Sequence, residues 1–158
     1  MSNAFGCNKV ALKSYFGKYV VAELDGTANV NRINRDVWEM FSVENLGSNK
    51  ISLISHHGKY LVAEDGKAGY DINANRDNRG PWEIFKVEKQ EGETIALKTA
   101  HGRYVVAEPD GRLRGDRTVA DIWERFSTEC IKGFFLTKIN LVLFQRVKIK
   151  QKFERLHD

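Results

Sequence analysis

The chain has 158 residues, a formal net charge of +4 at pH 7, 42% hydrophobic residues and two cysteines. That is enough for one domain with its own core, and too few cysteines for a disulfide-rich scaffold. The positive excess is local: up to Ile131 there are 18 Lys and Arg against 19 Asp and Glu, whereas Lys132 to Asp158 holds seven against two. The body is therefore nearly neutral, which excludes a broad cationic footprint for nucleic acid or heparin.

In chain order, residues 1–8 form a lead-in. Met1 to Lys9 lacks the apolar core of a signal peptide, which points to a cytoplasmic protein. Cys7 precedes the first predicted strand and Cys130 follows the last. Two reduced thiols are the expected state, with a disulfide between them as the alternative.

Residues 9–49 predict four short strands, Val10 to Ser14, Lys18 to Glu23, Ala28 to Ile33 and Trp38 to Glu44. Gly17, the Asp25-Gly26 pair and Gly47-Ser48 separate them, and Asp-Gly between apolar runs is a strong hairpin signal. Residues 50–93 and 94–130 repeat the pattern. Gly58 and Gly102 match Gly17, each two residues before a tyrosine (Tyr19, Tyr60, Tyr104), and Asp65-Gly66 and Asp110-Gly111 match the hairpin turn. From Ala22 to Arg32 and from Ala107 to Arg117 is 10 residues, but from Ala63 to Arg76 is 13, so the second repeat carries an insertion.

A repeated hairpin unit cannot bury its apolar face alone. Three such units closing around a shared axis, twelve strands over one core, predict an all-β fold, a β-trefoil of three four-strand repeats. Leu12, Leu53, Leu97, Phe41, Phe85 and Phe126 are the expected core, extended by Val43, Val87 and, more weakly, Thr128. A bulge or bend is expected after Trp38, Trp82 and Trp123, because Trp and Phe three apart fall on opposite faces of a regular strand. Glu23, Glu64 and Glu108 are placed to pair with Arg32, Arg76 and Arg117 across each hairpin. Glu39, Glu83 and Glu124 recur just as evenly. Catalytic acid and base groups need two carboxylates in different environments, so no catalytic residue, cofactor or metal site is expected and the chain does not read as an enzyme.

The stretches His57-Gly-Lys-Tyr-Leu-Val-Ala63, Ala74-Asn-Arg76, Gly80-Pro-Trp-Glu-Ile-Phe85 and His101-Gly-Arg-Tyr-Val-Val-Ala107 resemble the fascin-like, or actin-crosslinking, β-trefoil domains. The resemblance spans about Lys9 to Glu129. It implies a non-enzymatic module that binds filamentous actin in the cytoskeleton, crosslinking it only through self-association. Family members attached to secreted glycosidases make a glycan the alternative ligand. The family's regulatory serine before the first Trp has no counterpart in Asn31 to Val37.

For actin the surface candidates are the turn cations Lys18, Lys59 and Arg103 with His57 and His101. For a glycan they are Tyr70 and Asp71, an aromatic beside an acid on the inserted loop. Residues 131–158 match no part of the repeat. The tail's apolar run from Phe134 to Phe144 is too short to span a membrane. A membrane-surface role for Phe134, Phe135, Leu141, Leu143 and Phe144 with Lys148, Lys150 and Lys152 is the weaker reading beside a plain appendage.

Overall fold

A computed structural model describes residues 4–132 together with 149 and 150. Twelve strands follow in order: β1 (Lys9–Ser14), β2 (Tyr19–Ala22), β3 (Ala28–Arg32), β4 (Phe41–Gly47), β5 (Lys50–Ile54), β6 (Tyr60–Ala63), β7 (Ile72–Arg76), β8 (Phe85–Lys89), β9 (Thr94–Lys98), β10 (Tyr104–Ala107), β11 (Leu113–Arg117) and β12 (Phe126–Cys130). Antiparallel pairing runs β1-β4-β5-β8-β9-β12 and returns to β1. A closed ring leaves those six strands without a free edge.

The expected β-trefoil of three four-strand repeats is corrected by this pairing. Six strands close an antiparallel barrel, and the other six stand off it. The reason lies in where the long ladders form. β4 pairs with β5, β8 with β9 and β12 with β1, so the extensive registers cross the boundaries between repeats. Within a repeat, β1 meets β4 over two residue pairs and β2 over one. A repeat is thus not a sheet of its own.

The six remaining strands form the hairpins β2–β3, β6–β7 and β10–β11. Their tips meet in a ring of bridges, Thr27 with Asn73, Asp71 with Arg114 and Asn29 with Arg112. The tip carbonyls of Gly26, Tyr70 and Gly111 accept the backbone N–H groups of Ala74, Gly115 and Val30 at 2.9, 2.7 and 2.9 Å.

The core is the one the sequence names. Phe41, Phe85, Phe126 and Leu53 are fully buried, Leu12, Leu97 and Val87 nearly so, and Val43 packs against the cluster. Thr128 is half-buried. Each Trp stands in a short 3₁₀ turn, Val37–Glu39, Pro81–Glu83 or Ile122–Glu124, ahead of β4, β8 or β12. This turn is the bend that the Trp-to-Phe spacing requires. The expected start of the fourth strand at Trp38 moves to Phe41. Glu83 and Glu124 accept the backbone N–H of Gly80 and Asp121 at 3.0 and 3.3 Å, closing their turns.

Contacts between repeats are cyclic. Tyr60 donates its hydroxyl to Glu44, Tyr104 to Glu88 at 2.6 Å and Tyr19 to Glu129 at 2.8 Å, so each tyrosine ties its repeat to the fourth strand of the one before. These bonds, helped by burial, hold all three phenols above the ordinary value of 10.0. The arginine and glutamate copies pair across every hairpin, Arg32 with Glu23, Arg76 with Glu64 and Arg117 with Glu108. The expected pair of thiols is also corrected: Cys7 and Cys130 form a disulfide. It joins the lead-in of β1 to the end of β12, beside the ladder that shuts the barrel.

Candidate functional site

Four of the five residues expected to bind actin are engaged in the molecule's own contacts. His57 and His101 occupy the β5–β6 and β9–β10 turns. Their Nε2 atoms lie 3.1 and 2.9 Å from the carbonyl oxygens of Ala22 and Ala63, in the preceding repeat. Their rings meet the edges of Trp38 and Trp82 at 4.8 and 4.9 Å. Both histidines are therefore staples between repeats. Lys59 pairs with Asp77. Arg103 lies 4.5 Å over the Tyr70 ring and donates to the Asp116 carbonyl at 3.1 Å. Lys18 alone of the five makes no hydrogen bond, ion pair or ring contact through its side chain among the described residues. The three cationic turns follow β1, β5 and β9, which alternate around the barrel.

The insertion places Tyr70 and Asp71 differently from a sugar platform. Each hairpin is closed by a backbone N–H, that of Glu23, Glu64 or Glu108, donating to the carbonyl of Thr27, Asp71 or Arg112, which makes Tyr70 the counterpart of Gly26 and Gly111. Tyr70 even shares their left-handed backbone, with φ 57° against 91° and 92°. One ring face carries Arg103 and its hydroxyl folds back toward Gly66. Asp71 does line a cavity of about 410 Å³ between the hairpin tips, with Asn29, Asn73, Arg112 and Arg114. Its carboxylate stands 3.9 Å from the Arg114 Nε. The inserted loop thus serves the hairpin ring, and one face of its half-buried aromatic is occupied by Arg103.

A free aromatic lies elsewhere. In the β1–β2 turn, Tyr15-Phe16 replaces the His56-His57 and Ala100-His101 of the other repeats. Phe16 takes the histidine's place against a tryptophan, 5.6 Å from Trp123, and its ring meets the Tyr15 edge at 5.4 Å. Tyr15 is 59% exposed and Ile122 40%. Both border a groove of about 320 Å³ whose other walls include Lys13, Glu91, Thr94, Ser127 and Arg125. Arg125 reaches Glu91 at 4.0 Å, and its Nε is buried with no hydrogen-bond partner among the described residues.

The groove combines an exposed ring, an apolar wall and charged groups of both signs. It offers stacking and several hydrogen bonds to one ligand. Sequence reasoning looked for asymmetry in the length of the repeats and found the insertion. The signal for this groove was a substitution within a turn of unchanged length, Tyr15-Phe16 where histidine recurs.

Among the described residues no group of His, Cys, Asp and Glu is arranged to hold a metal ion, and no helix is long and apolar enough to cross a membrane. The tail reading on Phe134, Phe135, Leu141, Leu143, Phe144, Lys148 and Lys152 lies outside the described residues. No family model matches the chain, and neither does any curated protein.

Proposed function

We propose that this protein is a non-enzymatic binding module whose ligand is a glycan, held in the groove between the β1–β2 turn and the Ile122–Glu124 turn. The observation that carries this reading is the Tyr15 ring, 59% exposed, on the rim of a groove that also presents Glu91 and Arg125. A sugar ring presents a C–H face to an aromatic and hydroxyls to charged side chains, and the groove supplies partners for both. The Arg125 Nη1 stands 4.0 Å from the Glu91 carboxylate, so donor and acceptor groups lie side by side at this groove.

The Cys7–Cys130 disulfide adds support, because such bonds persist in oxidising compartments, where glycans are displayed. Filamentous actin in the cytoplasm ranks second. Its support is the repeated Gly-Lys/Arg-Tyr turns, and four of the five residues suggested for it are used in internal contacts.

The test is a glycan array probed with the intact protein, run beside co-sedimentation with filamentous actin. Binding to a defined set of glycans with the protein left in the supernatant is the expected outcome. An empty array with the protein in the actin pellet would reverse the order of the two readings.

A further inference from the structure

The barrel surface carries a second departure from its own symmetry. Lys50 on β5 stands directly opposite Lys86 on β8, and Lys86 stands directly opposite Lys98 on β9. Three lysines therefore cross three adjacent strands in one row. The equivalent rows elsewhere on the barrel read Lys9, Ser42, Ile54 and Thr94, Ser127, Lys13. Neither of those repeats a charge along the row, so the fold does not require lysine at these positions.

Opposed side chains on one sheet face have Cβ atoms about 5 Å apart, and like charges so placed destabilise the pair. Among the described residues no carboxylate is paired with this row. None of the three lysines makes an ion pair. Glu88, two residues along β8 from Lys86, has its carboxylate taken by the Tyr104 hydroxyl at 2.6 Å, and the Lys98 Nζ stands 5.6 Å over the Tyr104 ring. Lys50 and Lys86 are exposed. The three lysines line a groove of about 330 Å³ floored by Pro81, Ile84 and Ala100. This groove is the counterpart, one repeat away, of the one beside Tyr15, since Ala100, Pro81 and Ile84 occupy the places of Tyr15, Ile122 and Arg125.

We infer that Lys50, Lys86 and Lys98 form a second binding site, for the anionic groups of a sulfated glycan chain. The row offers three cationic heads at strand spacing, about 10 Å from end to end, and a chain of regularly repeated anions is what such a row complements. Charge complementarity selects the anion. The choice of a glycan to bear it rests on the reading of the Tyr15 groove. Without these three lysines the body up to Ile131 holds 15 Lys and Arg against 19 Asp and Glu, so its net charge attracts no anion and the attraction is confined to this strip.

The experiment is calorimetric titration of the full chain with a sulfated heparin oligosaccharide and with the same oligosaccharide desulfated. The variants are Lys50→Gln/Lys86→Gln/Lys98→Gln, the symmetry control Lys9→Gln, and Tyr15→Ala. Expected is sulfate-dependent binding that weakens as salt rises from about 50 to about 200 mM and falls about tenfold or more in the triple variant. Lys9→Gln should bind as the wild type. The triple variant should melt no lower than the wild type, because it removes a repulsion. Sulfate-dependent binding that survives the triple substitution, as it would if the basic tail supplied it, overturns the assignment. Tighter binding to phosphatidylserine vesicles or polyphosphate than to the sulfated oligosaccharide overturns the choice of source. Absence of sulfate-dependent binding, with array glycans still bound through Tyr15, overturns this site alone and leaves the first groove standing.

Discussion

Glu39 and Glu124 illustrate how far a residue's environment departs from its place in a repeated motif. Both are buried, at 4% exposure, beneath their 3₁₀ turns. Burial is the main cause that holds their carboxyls above the ordinary value of 4.5, against the lowering effect of backbone N–H groups and of Arg32 or Arg117. A raised native value means that the protonated form fits the fold better than the ionised one. As pH falls from neutral through those raised values toward the unfolded value, the two groups therefore add stability. Asp25 works in the opposite direction. The Thr27 hydroxyl and N–H hold it below its ordinary value of 3.8, so its contribution is complete above that value and fades as pH falls through the lower native one. Glu39→Gln should be at least as stable as the wild type at pH 7, and its stability should rise less between pH 7 and pH 4.5. Urea titrations across that range measure the difference, and a loss of stability at pH 7 would contradict the assignment. The recurrence of Glu39, Glu83 and Glu124 was plain in the sequence. Their role in closing the turn was hidden, because the Trp positions read as the start of a strand.

At the scale of elements, the strands were legible because Asp-Gly turns and alternating apolar residues state where hairpins begin and end. Which strands pair was not. β4 meets β1 of its own repeat over two residue pairs, yet its long ladder is with β5, across the repeat boundary. Local signals say nothing about such contacts. The hairpin tips show the same limit. The insertion near Tyr70 was visible as three added residues, whereas its use, replacing a glycine carbonyl in the ring of hairpin tips, depends on contacts with β11. The site residues divide in the same way. Lys50, Lys86 and Lys98 lie in two repeats on three strands, and no reading along the chain brings them into a row. Gly26 tests the importance of the ring. Its φ is 91°, and an added Cβ would meet the Asn75 Cβ at 2.8 Å. Gly26→Ala should cost more than about 1 kcal/mol, read as a lowered urea midpoint with an unchanged slope. Gly17→Ala shares the positive φ but meets nothing within 4 Å, and should cost less. Equal losses would show that backbone strain alone, and not the approach of the hairpins, governs these positions.

For the whole molecule, closure is the organising event. β1 and β12 are the first and last strands, their ladder seals the barrel, and the disulfide lies beside it with a sequence separation of 123. A bond that closes so long a loop restricts the unfolded chain strongly. Reduction, or Cys7→Ser with Cys130→Ser, should lower stability by about 2–4 kcal/mol. Denaturant unfolding with and without reductant checks this, and identical midpoints would mean that the ladder alone holds the seam. The repeated core, the tyrosine staples and the histidine staples account for most of what recurs in the sequence. What remains for function is what breaks the symmetry, and the exposed aromatic at Tyr15 is the break that most resembles a ligand site. Its test is titration of wild type and Tyr15→Ala with a neutral glycan drawn from the array, unfolding midpoints being compared in parallel. Tyr15→Ala should bind about tenfold more weakly or worse, a loss of roughly 1.4 kcal/mol, with its midpoint unchanged. Equal affinity in the two proteins would contradict the account.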